Sequence, residues 1–131
     1  MQRLTSRAQF QAVMDGQTVA RTAHFVLHRK ALTDTMRQPL FPVPAGNPAA
    51  DTGWLGAMIP KRWAKRAVTR NAVRRQIYSV APQFISRPEA MAHVVRLRSA
   101  FNRAEFPSAS SPALKAAVRS ELEQLFAGAA P

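Results

Sequence analysis

The sequence predicts an α+β or α/β sandwich: a small sheet of about four strands with three helices packed on it, in the order α-β-β-β-α-β-α. Three observations carry this. Three segments place apolar residues at helical spacing and have cap residues at their ends. Four short runs rich in Val, Ile, Leu, Phe and Trp have the length of strands. The chain's 131 residues suffice for one domain with a modest core but not for two.

The first helix is capped by Thr5 or Ser6, runs to about Asp15 and stops at Gly16, with Leu4, Phe10, Val13 and Met14 on its apolar side. Residues 18–21 read as a short strand and residues 24–32, HFVLHRKAL, as a second. Residues 33–53 lose all periodicity and hold four of the ten prolines and two glycines. They are expected to form a surface loop insertion between two strands, long for a compact domain. WLGAMI, 54–59, reads as a buried strand that Pro60 ends. A helix over about 64–80 follows, with Pro82 just past its end, then the strand HVVRL, 93–97. After a loop over 101–111, Pro112 opens a last helix, about 113–126, whose apolar face is Leu114, Val118, Leu122, Leu125 and Phe126. The whole chain, 1–131, is expected to be a single domain with a frayed tail at 127–131.

Charge is the unusual property. Nineteen Lys and Arg against seven Asp and Glu give a formal net charge of +12 and a pI near 11.8. Such a chain repels itself at neutral pH and calls for an anionic partner. Seven of the cations fall within residues 61–75, KRWAKRAVTRNAVRR, with no acid among them. On a helix, Thr69, Val73, Ile77 and Val80 form one apolar seam. Arg70, Arg74 and Tyr78 form a row beside it, with Asn71 and Arg75 further round. A helix built only for solubility would alternate its signs, so the strip Lys61, Arg62, Lys65, Arg66, Arg70, Asn71, Arg74 and Arg75 reads as a polyanion site. Arg supplies planar, bidentate donors for phosphate, and Asn71 offers both a donor and an acceptor to a base edge or a ribose hydroxyl. Phe10, Met14, Phe25 and His28 are candidates for lining a groove between the first helix and the sheet, where single-stranded bases stack. The alternative is that the two Phe are ordinary core residues.

Other chemistries find little support. There is no cysteine, hence no disulfide or thiolate metal site, and no apolar run of membrane-spanning length. The basic, acid-poor start has the composition of a weak transit peptide but reads more simply as the first helix, and the expected compartment is the cytoplasm. His24, His28 and His93 are scattered and the seven acids dispersed, so no catalytic or protein-bound metal constellation is expected.

KRWAKRAVTRNAVRRQIYSVA resembles the signature of the protein subunit of bacterial ribonuclease P, whose pattern is close to K-K-x-x-x-R-A-x-x-R-N-R-x-K-R-x-x-R. Lys61, Arg62, Arg66, Ala67, Arg70, Asn71 and Arg75 match it, and Arg74 matches conservatively. RLTSRAQFQAVMDG, HFVLHRKAL, WLGAMIPKR and HVVRLRSAF resemble the flanking elements, so the resemblance covers about residues 3–126. It departs at Ala72 and Tyr78, where the family carries basic residues, at Met14 and His28 in the groove, and in the longer segment 33–53.

The resemblance implies an α+β sandwich with a mostly antiparallel sheet and a left-handed βαβ crossover. It also implies a role in the ribonucleoprotein that removes the 5′ leader of precursor tRNA. The protein would bind the catalytic RNA through the signature helix and the single-stranded leader in the groove. Mg²⁺, held mainly by the RNA subunit and substrate, would serve the chemistry. The protein alone would not be catalytic, and no protein partner or membrane would be required. The competing expectation is a general RNA-binding or ribosome-associated basic protein with no part in tRNA processing.

Overall fold

The computed structural model describes residues 2–32, 40–42, 53–85, 91–101 and 111–129. Its elements are β1 (Gln2–Arg3), α1 (Arg7–Met14), β2 (Gln17–Arg21), β3 (Phe25–Ala31), β4 (Trp54–Met58), α2 (Ala67–Phe84), β5 (Met91–Leu97) and α3 (Pro112–Ala127). The strands make one sheet in the order β1-β4-β5-β3-β2. β2–β3 and β3–β5 pair antiparallel, β1–β4 and β4–β5 parallel. The sheet is therefore evenly mixed and has a fifth strand, β1, whose two residues are too few to show a period. β4, α2 and β5 form a βαβ unit between neighbouring parallel strands.

Alternation along the strands divides the core into two clusters, one per sheet face. On one face Phe25, Leu27, Leu55, Val95 and Leu97 meet Val73, Ile77 and Val80 of α2 and Leu114, Val118, Leu122 and Leu125 of α3. On the other, Ala92, Val94 and Trp54 meet Leu4 and Val13, with Phe10 and Met14 packed at the margin. Gly56 makes that second face possible, because a Cβ there would stand 2.5 Å from the Phe10 ring and 2.7 Å from Leu4.

The helix ends differ in how they are secured. At α1, Ser6 Oγ accepts from Gln9 N at 3.2 Å while Gln9 Oε1 accepts from the Ser6 and Thr5 backbone, a reciprocal capping box. At α3, Ser111 Oγ accepts from Leu114 N and Pro112 occupies the first turn. α2 starts three residues later than expected, because Trp63 N and Ala64 N close a turn on Pro60 O and Arg66 is extended. It also runs past Pro82 to Phe84. A proline in the last turn costs the helix one hydrogen bond, and Ile85 N still reaches Ala81 O at 2.9 Å. Phe84 stacks on Phe126 of α3, which holds the extra turn.

Most of the expected loop over 33–53, most of that over 101–111 and the last two residues lie outside the described residues. Within 33–53, Phe41 is 1% exposed, packed edge-on against Trp54, and Leu40 O accepts from Gln9 Nε2 at 2.6 Å. This part of the segment belongs to the core beneath α1.

Candidate nucleic-acid interface

The βαβ unit sets α2 against the sheet by Val73, Ile77 and Val80, and this fixes which residues look outward. Lys61, Arg62, Lys65, Arg66, Asn71 and Arg75 are exposed, while Arg70 and Arg74 are half-buried along the seam. All eight expected strip residues thus fall on α2 and its approach turn. Two of them are held in place. Arg70 Nη1 donates to Ala64 O at 3.0 Å and to Lys65 O at 2.9 Å, tying the approach turn to the helix. Arg74 Nη1 donates to Asn71 Oδ1 at 2.9 Å.

The start of α2 is electropositive twice over. Arg66 occupies the cap position with no side-chain cap bond, and no acid lies in the first turn. The first backbone N–H groups of the helix therefore point outward without an internal acceptor, among four exposed cations. The three acids among the described residues are engaged elsewhere: Asp15 with Gln11, Glu123 with Arg119, and Glu121 with His24 and Thr22.

Ala72, where the resemblance calls for a basic residue, is buried beside Val73. In this chain that position adds no charge to the strip.

The groove candidates separate. Phe10, Met14 and His28 lie on the α1 face of the sheet, whereas Phe25 is 0% exposed in the opposite cluster beneath α2 and α3. Phe25 is a core residue and offers no ring to a base, because β3 alternates and its residue 25 is out of phase with 28. On the α1 face, cross-strand register lines up Arg21, Val26, Arg96 and Met58 in one row and Thr18, His28, Val94 and Gly56 in the next. Phe10 lies on Gly56 at the end of the second row. Arg96 Nε donates to His28 Nε2 at 3.3 Å, so the neutral ring carries its proton on Nδ1, facing Thr18 Oγ1 at 3.4 Å. Burial, reinforced by Arg96 and then Arg21, lowers the His28 pKa and keeps the ring uncharged.

Arg21 and Arg96, which the register places in this row, are not among the candidates read from the sequence. The signal was present for Arg96, since HVVRL puts it in phase with Ala92 and Val94. Among the described residues no three of His, Cys, Asp and Glu gather to hold a metal, and no helix is long and apolar enough to cross a membrane.

A mixed sheet with a one-sign helix strip on one side and a basic, partly aromatic floor on the other defines a small RNA-binding protein. The model of the ribonuclease P family matches residues 1–125. The ribonuclease P protein component of Paraburkholderia xenovorans (strain LB400) is 35% identical over 128 residues, covering 98% of this chain and 80% of the relative. That of Ralstonia pickettii (strain 12J) is 32% identical over 127 residues, covering 95% and 76%. Among solved structures, the Staphylococcus aureus RNase P protein superposes with a TM-score of 0.63 at 20% identity, covering 97% of this chain and 94% of that one. The Thermotoga maritima protein gives 0.59 at 16% identity, covering 97% of each. The chain belongs to the ribonuclease P protein component family.

Proposed function

We propose that this chain is the RNA-binding subunit of a ribonuclease P ribonucleoprotein, which cleaves the 5′ leader from precursor tRNA. The observation that carries this reading is the α2 strip, in which Arg70 and Arg74 are oriented by hydrogen bonds and no acid offsets the charge.

The strip docks the catalytic RNA by phosphate contacts from Lys61, Arg62, Lys65, Arg66, Arg74 and Arg75. Arg70 shapes the approach turn through its Nη1 bonds. The α1 face takes the single-stranded leader: Phe10 and Met14 give an apolar wall, Arg21 and Arg96 attract the backbone, and the neutral His28 forms part of the floor. Mg²⁺ supplies the hydrolytic chemistry from sites on the RNA subunit and substrate. The protein's part is to bind and position, and on its own it is not catalytic. Its place of work is the cytoplasm.

Affinity for precursor against mature tRNA, measured in the assembled ribonucleoprotein, tests this. The protein should tighten precursor binding selectively. Equal tightening of both, with RNA binding intact, would favour a general RNA-binding protein, and cleavage by protein free of RNA would point to a nuclease in its own right.

A further inference from the structure

On α2 the row Arg70, Arg74, Tyr78 advances about 6 Å along the axis at each step. Two cations are followed by an uncharged phenol. At that third position the structure supplies a cation from elsewhere: the Arg3 guanidinium carbon lies 4.1 Å from the centroid of the Tyr78 ring.

Arg3 is exposed, yet its backbone is fixed. It stands in register with Leu55 in the parallel β1–β4 pair, between Gln2 N donating to Gly53 O at 2.9 Å and Leu4 N donating to Leu55 O at 3.0 Å. The buried Leu4 side chain anchors the next residue on the opposite face. The Tyr78 ring is half-buried against the α2 core cluster, so the platform is fixed as well. A guanidinium carbon over a ring face is held there by the ring's negative face without spending an N–H donor on an acceptor, and a guanidinium whose donors remain available can grip a phosphate with two parallel bonds. Each described acid has a partner outside this region.

We propose that Arg3, seated on Tyr78, is a phosphate-binding residue that completes the cationic row of α2 and carries the RNA surface across onto β1. The inference rests on the RNA-binding reading above.

The test is the salt dependence of association between the full chain and a transcript of a bacterial ribonuclease P RNA, with thermal melts alongside. Arg3→Gln should lower the slope of log K against log salt by roughly 0.7 to 0.9, one phosphate contact. Arg3→Lys should keep the slope. Tyr78→Leu, which removes the platform and leaves the charge, should weaken binding severalfold. Arg74→Gln serves as the reference. If Arg74→Gln lowers the slope while Arg3→Gln leaves it unchanged, the Arg3 assignment is overturned and the ribonuclease P reading stands. A lowered melting temperature with an unchanged slope would likewise reduce Arg3 to a structural contact. If neither variant changes the slope, or the RNA does not bind, the RNA-binding reading itself fails.

Discussion

Arg74 Nη1 and Asn71 Oδ1 are 2.9 Å apart on the exposed side of α2, so the asparagine acts as a rest for the arginine one turn away. The bond spends the Asn71 carbonyl and leaves its NH₂ group facing outward. It also holds one of the cations of a like-charged helix in a fixed direction, which would reduce the entropy lost if that cation meets an RNA phosphate.

Asn71→Ala should therefore weaken RNA association without changing net charge. We expect a loss of roughly threefold to tenfold, about one hydrogen bond, with an unaltered salt slope. Arg74→Gln should differ in kind, lowering the slope by roughly 0.7 to 0.9. Titrations at several salt concentrations separate the two. Identical slopes for Arg74→Gln and the parent chain would remove Arg74 from the phosphate contacts.

Arg70 has a structural duty that the strip pattern alone did not indicate. Its Nη1 bonds to Ala64 O and Lys65 O secure the turn that leads into α2, while the helix start itself keeps no side-chain cap. Arg70→Met should cost about 1–3 kcal/mol of stability as those carbonyls lose a charged donor. Urea denaturation would register this, and RNA binding should fall at every salt concentration. A variant of unchanged stability would show that the turn holds without Arg70.

His93 gives the fold a pH dependence. It is 4% exposed on β5, its Nε2 accepts from Arg29 Nε at 3.1 Å, and its Nδ1 has no hydrogen-bond partner among the described residues. Burial, with the Arg29 charge adding to it, pushes its pKa from 6.5 down to about 4. Between those values the unfolded chain binds a proton that the folded chain refuses. Stability is thus full above pH 6.5 and is lost as pH falls toward 4, by at most about 3 kcal/mol from this group. The lowered pKa of His28 adds in the same direction. His93→Gln keeps an acceptor for Arg29 and removes the titration. Urea midpoints at pH 7 and pH 4.5 should lie closer together for that variant than for the parent. An unreduced gap would rule out His93 as the source.

Gly56 is where the sheet admits α1. Gly56→Ala would set a methyl group 2.5 Å from the Phe10 ring and should cost about 1–3 kcal/mol by overpacking. Combining it with Phe10→Ala should cost less than the sum of the two single changes, because the clash with the ring disappears and only the one with Leu4 remains. Additive losses in a double-mutant cycle would mean that the two residues do not meet.

The elements were largely legible because each carried a local signal: the Ser6 and Ser111 caps, Pro112, the α3 face from Leu114 to Phe126, and the valine-rich β5. β1 was not, since two residues have no period and their pairing partner lies some fifty positions away in sequence. The extra turn of α2 past Pro82 is held by Phe84 on Phe126, a tertiary contact that no helix rule contains.

The strip was legible because one-sign charge at helical spacing is a property of the sequence itself. The groove was only partly so. Phe10, Met14 and His28 came out on one face, but Phe25 was assigned by residue type when strand phase would have placed it in the core. The seating of Arg3 on Tyr78 and the Arg70 bonds to the approach turn depend on side-chain directions, which spacing does not give.

The most direct measurement is single-turnover cleavage of a precursor tRNA by a bacterial ribonuclease P RNA at moderate Mg²⁺. It would be run with no protein, with this chain, and with its Arg74→Gln, Arg75→Gln double variant. Leader removal should be faster with the chain, and the double variant should restore that gain only at higher protein concentration. No gain in rate or affinity from the unaltered chain would contradict the ribonuclease P reading.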